Sequence, residues 1–148
     1  MTSGVPAARA VIDPGVLISA LLSSRGAPDE VVRALEAGSF QSVVSPALIG
    51  ELERVLRRPK FSSKIHDEDI TPFVDFVRSA SSVLDDPPAR TGLAPDPGDD
   101  YLLALADAAE ATHVVTGDQA LLTVGDLGFK VISPRQFVRD VLEEPSAS

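Results

Sequence analysis

Residues 10–22 read Ala10-Val11-Ile12-Asp13-Pro14-Gly15-Val16-Leu17-Ile18-Ser19-Ala20-Leu21-Leu22, an apolar run interrupted by one aspartate and a Pro-Gly pair. Residues 9–13, "RAVID", predict a short buried strand, and Val16 to Leu22 an apolar helix directly behind it. Outward from this stretch the alternation repeats. A helix over 27–38 stops at Gly38, and a strand follows in 39–45, "SFQSVVS". Ser45-Pro46 then caps a helix running to about Pro59, because a serine followed by proline at the first helical position is helix-start chemistry. Residues 60–66 predict a short turn or helix, 67–80 a helix and 81–86 a brief strand. The Pro/Gly-rich segment 87–98 is the longest loop. A helix over 99–111, a strand over 112–118 ending in a turn, a short helix or turn over 120–128 and a strand over 129–133 follow. Ser133-Pro134 starts a closing helix. Short apolar strands alternating with helices specify a parallel sheet covered on both faces, so the expected fold class is α/β, a three-layer α/β/α sandwich.

The 148 residues, 44% hydrophobic, suit one domain over 1–148 with an ordered core of about 9–142. No cysteine is present, which removes disulfide frameworks and thiolate metal sites and agrees with a reducing, cytoplasmic setting. The first apolar run is too broken to serve as an export signal or membrane span. A formal charge of −9 argues against binding nucleic acid through general electrostatic attraction, so such a role needs local basic patches or bound cations.

In open α/β sheets ligands gather beyond the carboxyl ends of the strands, and the polar residues there carry the functional argument. Asp13 ends the first strand; from its position alone, helix capping and a site role explain it equally well. Asp118, in "VVTGD", ends another apolar strand in the same way, and two carboxylates at one sheet edge begin to form a site. Glu51 and Glu53 flank the apolar stripe of Leu48, Leu52, Val55 and Leu56 on either side, so the helical wheel does not choose between them. Gly50 beside Glu51 leaves open space there. Asp96, Asp99 and Asp100 crowd a helix start, where one carboxylate is enough to satisfy the dipole, so at least one is free to point to the strand edge. Carboxylates gathered this closely repel one another by roughly 4 kcal/mol per pair at 4 Å and a dielectric near 20. They require raised pKa values or a divalent cation, and oxygen-only donors suit Mg²⁺ or Mn²⁺. The two histidines, His66 and His113, are far apart in sequence, and neither a P-loop nor a dinucleotide fingerprint is present.

Taken together, the strand ending in Asp13, "SPALIGELERVLRRPKF" with Glu51, "DPGDDYLLALA" with Asp100 and "VVTGDQALL" with Asp118 resemble a PIN-domain protein. From about Arg9 to Leu142 the chain is similar to the VapC-like toxin components of bacterial toxin–antitoxin systems. The resemblance implies a metal-dependent ribonuclease in which Asp13, Glu51, Asp100 and Asp118 hold Mg²⁺ or Mn²⁺. It favours Glu51 over Glu53 and Asp100 over its acidic neighbours, with Asp96, Asp99 and Thr116 in supporting positions. It also implies an RNA substrate, an antitoxin partner, a homodimer and no membrane. Arg54, Arg57, Arg58, Lys60 and Lys64 form the densest basic stretch; it suits RNA phosphates, and equally a solvated helix end. One departure stands in the opening stretch. The family usually follows its first aspartate with a hydroxyl residue and asparagine, whereas this chain has Pro14 and Gly15. A PIN-like module that binds metal, RNA or a protein without turnover is the alternative reading.

Overall fold

The computed structural model describes residues 8–143. Its strands are β1 (Arg9–Ile12), β2 (Gln41–Val44), β3 (Ser82–Val83), β4 (His113–Val115) and β5 (Lys130–Ile132). They form one five-stranded sheet in the order β3-β2-β1-β4-β5, every neighbouring pair parallel. The helices are α1 (Pro14–Leu22), α2 (Ala27–Ala37), α3 (Pro46–Leu56), α4 (Asp67–Ser79), α5 (Asp100–Ala108) and α6 (Pro134–Phe137), the last continuing as a π-helical turn over Val138–Leu142.

The central strands are apolar because helices cover both of their faces. Ala10, Val11, Val43, Val114 and Val115 are fully buried. The steps from β1 to β2 to β3 advance in one direction, so right-handed crossovers place α1 to α4 on one face of the sheet. The return from β3 to β4 runs the other way, which puts α5 on the opposite face, packed against β1 and β4. Serine caps start α3 and α6 as the sequence predicts: Ser45 Oγ accepts from Leu48 N at 3.4 Å and Ser133 Oγ from Gln136 N at 3.1 Å. Gly38 ends α2 in a left-handed conformation, φ 73°, with its N–H turned back to Ala34 O and Leu35 O.

Two elements are shorter than predicted. The strand expected over 81–86 keeps only Ser82–Val83, since β3 is an edge strand with a single neighbour and Val83 is exposed. The helix expected from residue 99 begins at Asp100, because Pro97–Asp99 form a separate 3₁₀ turn. No helix among the described residues is long and apolar enough to cross a membrane.

Strand order reverses between β1 and β4, so the chain leaves the sheet in opposite directions from these two neighbours. The crevice beyond their carboxyl ends is where a parallel sheet binds its ligands.

Candidate active site

Asp13 and Asp118 flank this crevice. Asp13 follows the last residue of β1 and caps α1, with Oδ1 accepting from Gly15 N at 3.0 Å. Its backbone N–H extends the ladder to Val115 O at 2.9 Å, which brings Asp13 level with Thr116. Thr116 is fully buried, and its hydroxyl donates to Asp13 Oδ2 at 2.7 Å while accepting from Asp118 N at 3.0 Å. One hydroxyl therefore fixes the Asp13 carboxylate and the backbone turn that carries Asp118. Asp118 Oδ1 accepts from Ala120 N at 2.8 Å and Leu121 N at 3.2 Å.

Asp13, Asp99 and Asp118 line one open cleft of about 470 Å³, walled also by Gly15, Ser19 and Pro134. The Asp99 carboxylate has no hydrogen-bond partner among the described residues. Its pKa is pushed up to about 6, first by partial burial and then by the charges of Asp13, Asp118, Asp96 and Asp100. Repulsion reaching Asp99 from both Asp13 and Asp118 places the three in one electrostatic group.

Asp100, favoured by the sequence resemblance, does not line this cleft. It is 5% exposed, and its Oδ1 accepts from Leu93 N at 3.0 Å and Ala94 N at 2.7 Å, holding the long loop against the start of α5. Asp99 faces the cleft in its place. Asp96 caps the preceding 3₁₀ turn, accepting from Gly98 N at 2.8 Å.

Glu51 stands apart from the cleft wall. It forms a two-pronged pair with Arg54, whose Nη2 lies 2.9 Å from Oε1 and 2.8 Å from Oε2. Its charge still acts on the Tyr101 phenol, whose pKa is raised by burial first and then by Asp13, Glu51 and Asp99. Glu51 thus belongs to the same side of the sheet edge, whereas Glu53 pairs with Arg57 at 3.1 Å. Of the basic stretch, Arg54 and Arg57 are engaged in these pairs, Arg58, Lys60 and Lys64 are exposed, and none lines the cleft. Lys60 lies over the Phe61 ring at 5.0 Å.

Among the described residues no three histidine, aspartate or glutamate side chains converge tightly enough to grip a cation as they stand. The donor chemistry nevertheless fits a hard divalent ion. Asp13, Asp99 and Asp118 offer only oxygens, Asp99 keeps both of its own free, and their mutual repulsion is uncompensated by any cation of the cleft wall. Sequence reading gave Asp99 only a supporting position and did not single out Tyr101. The available signal for Tyr101 was its position immediately after the acidic cluster.

A PIN domain family model matches residues 9–120. Among curated proteins, an uncharacterized protein of Methanocaldococcus jannaschii, MJ1680, is 23% identical over 141 residues, covering 89% of this chain and 90% of its own. Among solved structures, PAE2754 from Pyrobaculum aerophilum superposes with a TM-score of 0.66 at 16% identity, covering 96% of this chain and 94% of that one. VapBC2 from Rickettsia felis, solved bound to a DNA fragment from its promoter, superposes with a TM-score of 0.60 at 14% identity, covering 84% and 98%.

Proposed function

The chain belongs to the PIN domain family, and from that premise we propose that it is a metal-dependent endoribonuclease, the toxin of a toxin–antitoxin pair. The observation that carries the reading is the convergence of Asp13, Asp99 and Asp118 on one cleft at the strand-order reversal, with Asp99 pushed up to about 6. Asp13, Asp99 and Asp118 would hold Mg²⁺ or Mn²⁺, with Glu51 behind them; Asp100 supports the loop. A bound ion of this kind supplies a water acidic enough to attack a phosphodiester and charge to stabilise the leaving oxygen.

The chain's own residues prepare that chemistry. Thr116 and the Gly15 N–H each hold one oxygen of Asp13, so the orientation that polar side chains supply elsewhere in the family comes here from a backbone amide and a buried threonine. This supports turnover despite Pro14-Gly15. The resemblance to a VapBC structure supports a separate antitoxin as partner, and a homodimer is the assembly expected of the family.

The test is cleavage of a mixed RNA pool with Mg²⁺ or Mn²⁺ by wild type, Asp13→Ala and Asp99→Asn. The reading expects 5′-phosphate products from wild type and a loss of at least a hundredfold in both variants, each still folded. Cleavage that survives both substitutions, or that persists in chelator, refutes it.

A further inference from the structure

A second hollow lies beside the acidic cleft, and nothing in the nuclease reading uses it. It encloses about 340 Å³ and is walled by Pro87, Pro97 and the ring of Tyr101, with Asp86 and Asp100 as its carboxylates. That volume is at the small end of the range that holds small organic ligands. The segment 98–101 divides it from the cleft: Asp99 faces the cleft, while Gly98, Asp100 and Tyr101 face the hollow.

The carboxylates of the hollow are acceptors, and the Arg90 guanidinium lines it beside them as a donor. Asp100 is more than nine-tenths buried, and Leu93 N and Ala94 N occupy only its Oδ1. Its Oδ2 has no partner among the described residues. No buried side-chain oxygen among the described residues lacks a partner, so Oδ2 keeps some surface, and Asp100 lines the hollow. Asp86 is exposed; its Oδ1 accepts from Ala47 N at 3.0 Å, and its Oδ2 has no partner among the described residues.

We infer that this hollow is a nucleobase subsite selective for guanine, resting on the RNA reading of the cleft. An aromatic ring with prolines offers a stacking face for an unpaired base. Ionised carboxylate oxygens accept only, so the matching base edge must donate. Guanine presents adjacent ring N–H and amino donors. Adenine and cytosine set a ring acceptor beside their amino group, and uracil flanks its one N–H with two carbonyls; each turns lone pairs toward the carboxylates. A buried hydrogen-bonding group such as Asp100 discriminates against such edges. Arg90 lines the hollow too, and its pair with Asp107 at 2.9 Å uses only one of its donors, leaving others for a phosphate.

Tyr101 is the chain's one tyrosine and there is no tryptophan, so intrinsic fluorescence reports on this one residue of the hollow's lining. The experiment titrates the full chain with GMP, AMP, CMP and UMP, following absorption-corrected fluorescence and heat, alongside RNA cleavage. GMP should quench Tyr101 and bind at least about tenfold more tightly than the other three, the discrimination expected of a two-donor edge. Asp86→Asn keeps an oxygen for Ala47 N but adds a donor, and should weaken GMP about tenfold; Tyr101→Leu, read by heat, should weaken it similarly. Equal binding of all four, or GMP binding indifferent to both substitutions, overturns the subsite. So does an absence of GMP binding by a protein that cuts RNA. Selective GMP binding by a protein that cuts none upholds the subsite and removes only the nuclease reading.

Discussion

Replacing Asp99 with asparagine should stabilise the metal-free protein at neutral pH, although it removes a group proposed to serve the site. The Asp99 carboxyl titrates at about 6 in the fold against 3.8 for the unperturbed group. Because the folded state binds this proton more tightly, the associated stability is complete below about pH 3.8 and is lost as pH rises through about 6. A shift of about two units corresponds to a ceiling near 3 kcal/mol. Asp99 is only partly buried, so solvent screening reduces this to about 1–2 kcal/mol, or roughly 3–8 °C in a chain of this size. The assay is thermal unfolding by circular dichroism in chelator, at about pH 7.5 and about pH 4, then with added Mn²⁺. Asp99→Asn should melt higher than wild type at the upper pH and level with it at the lower. Saturating Mn²⁺ should raise wild type, by about 2.7 kcal/mol at a hundredfold excess over the dissociation constant, and raise the variant much less. A variant no more stable than wild type at pH 7.5, or equally favoured at both pH values, refutes the claim that burial and neighbouring charges penalise the ionised Asp99.

Asp100→Ala should behave in the opposite sense, losing about 2–3 kcal/mol in denaturant unfolding because Leu93 N and Ala94 N lose their acceptor, while keeping the Mn²⁺-induced rise in midpoint. Thr116→Val preserves shape but removes the link between Asp13 and Asp118; titration with Mn²⁺ should show metal affinity lowered about 10–100-fold, and metal-free stability lowered by about 1–3 kcal/mol. His113, half-buried against the Phe137 ring at 5.6 Å, has its pKa lowered by burial and by Lys130. The unfolded chain therefore takes up this proton first, so stability is full above about pH 6.5 and falls as pH drops below it; His113→Gln should flatten that part of the stability–pH profile. Arg54→Ala breaks an exposed pair with Glu51, and its unfolding free energy should change by less than about 1 kcal/mol in denaturant titration.

The sequence disclosed what local chemistry controls. β1 was legible because Ala10, Val11 and Ile12 are consecutively apolar as a doubly covered strand requires, and the serine–proline starts of α3 and α6 were legible because capping is settled within four residues. Asp13 and Asp118 were legible for a related reason: each terminates a buried strand, and parallel pairing of β1 with β4 leaves them at one edge. The ranking of Asp99 against Asp100 was not. Helical phase sorts neighbouring residues when a helix has a wet face, but Leu102 through Ala106 are all buried in α5, so the apolar pattern offers no direction. What separates the two aspartates is a pair of backbone amides from residues 93 and 94, arriving from a loop whose path no local rule specifies.

That loop also accounts for the economy of the acidic cluster. Asp96 closes the 3₁₀ turn, Asp100 accepts two amides from the loop, and Asp99 alone is left without a hydrogen-bond partner, between them and facing Asp13 and Asp118. Three carboxylates within five residues exceed what a helix dipole needs, and the excess resolves into separate duties once each oxygen is followed to its donor. The two structural aspartates hold the 93–101 segment in place, and that segment carries Asp99 on one side and Tyr101 on the other. A charge with no hydrogen-bond partner is tolerated where the surrounding structure is tied down and the cost is recovered when a ligand arrives. The instability that Asp99 introduces into the metal-free chain is the physical reason to expect a cation there, and the rigidity that Asp96 and Asp100 supply is the reason the fold can sustain it.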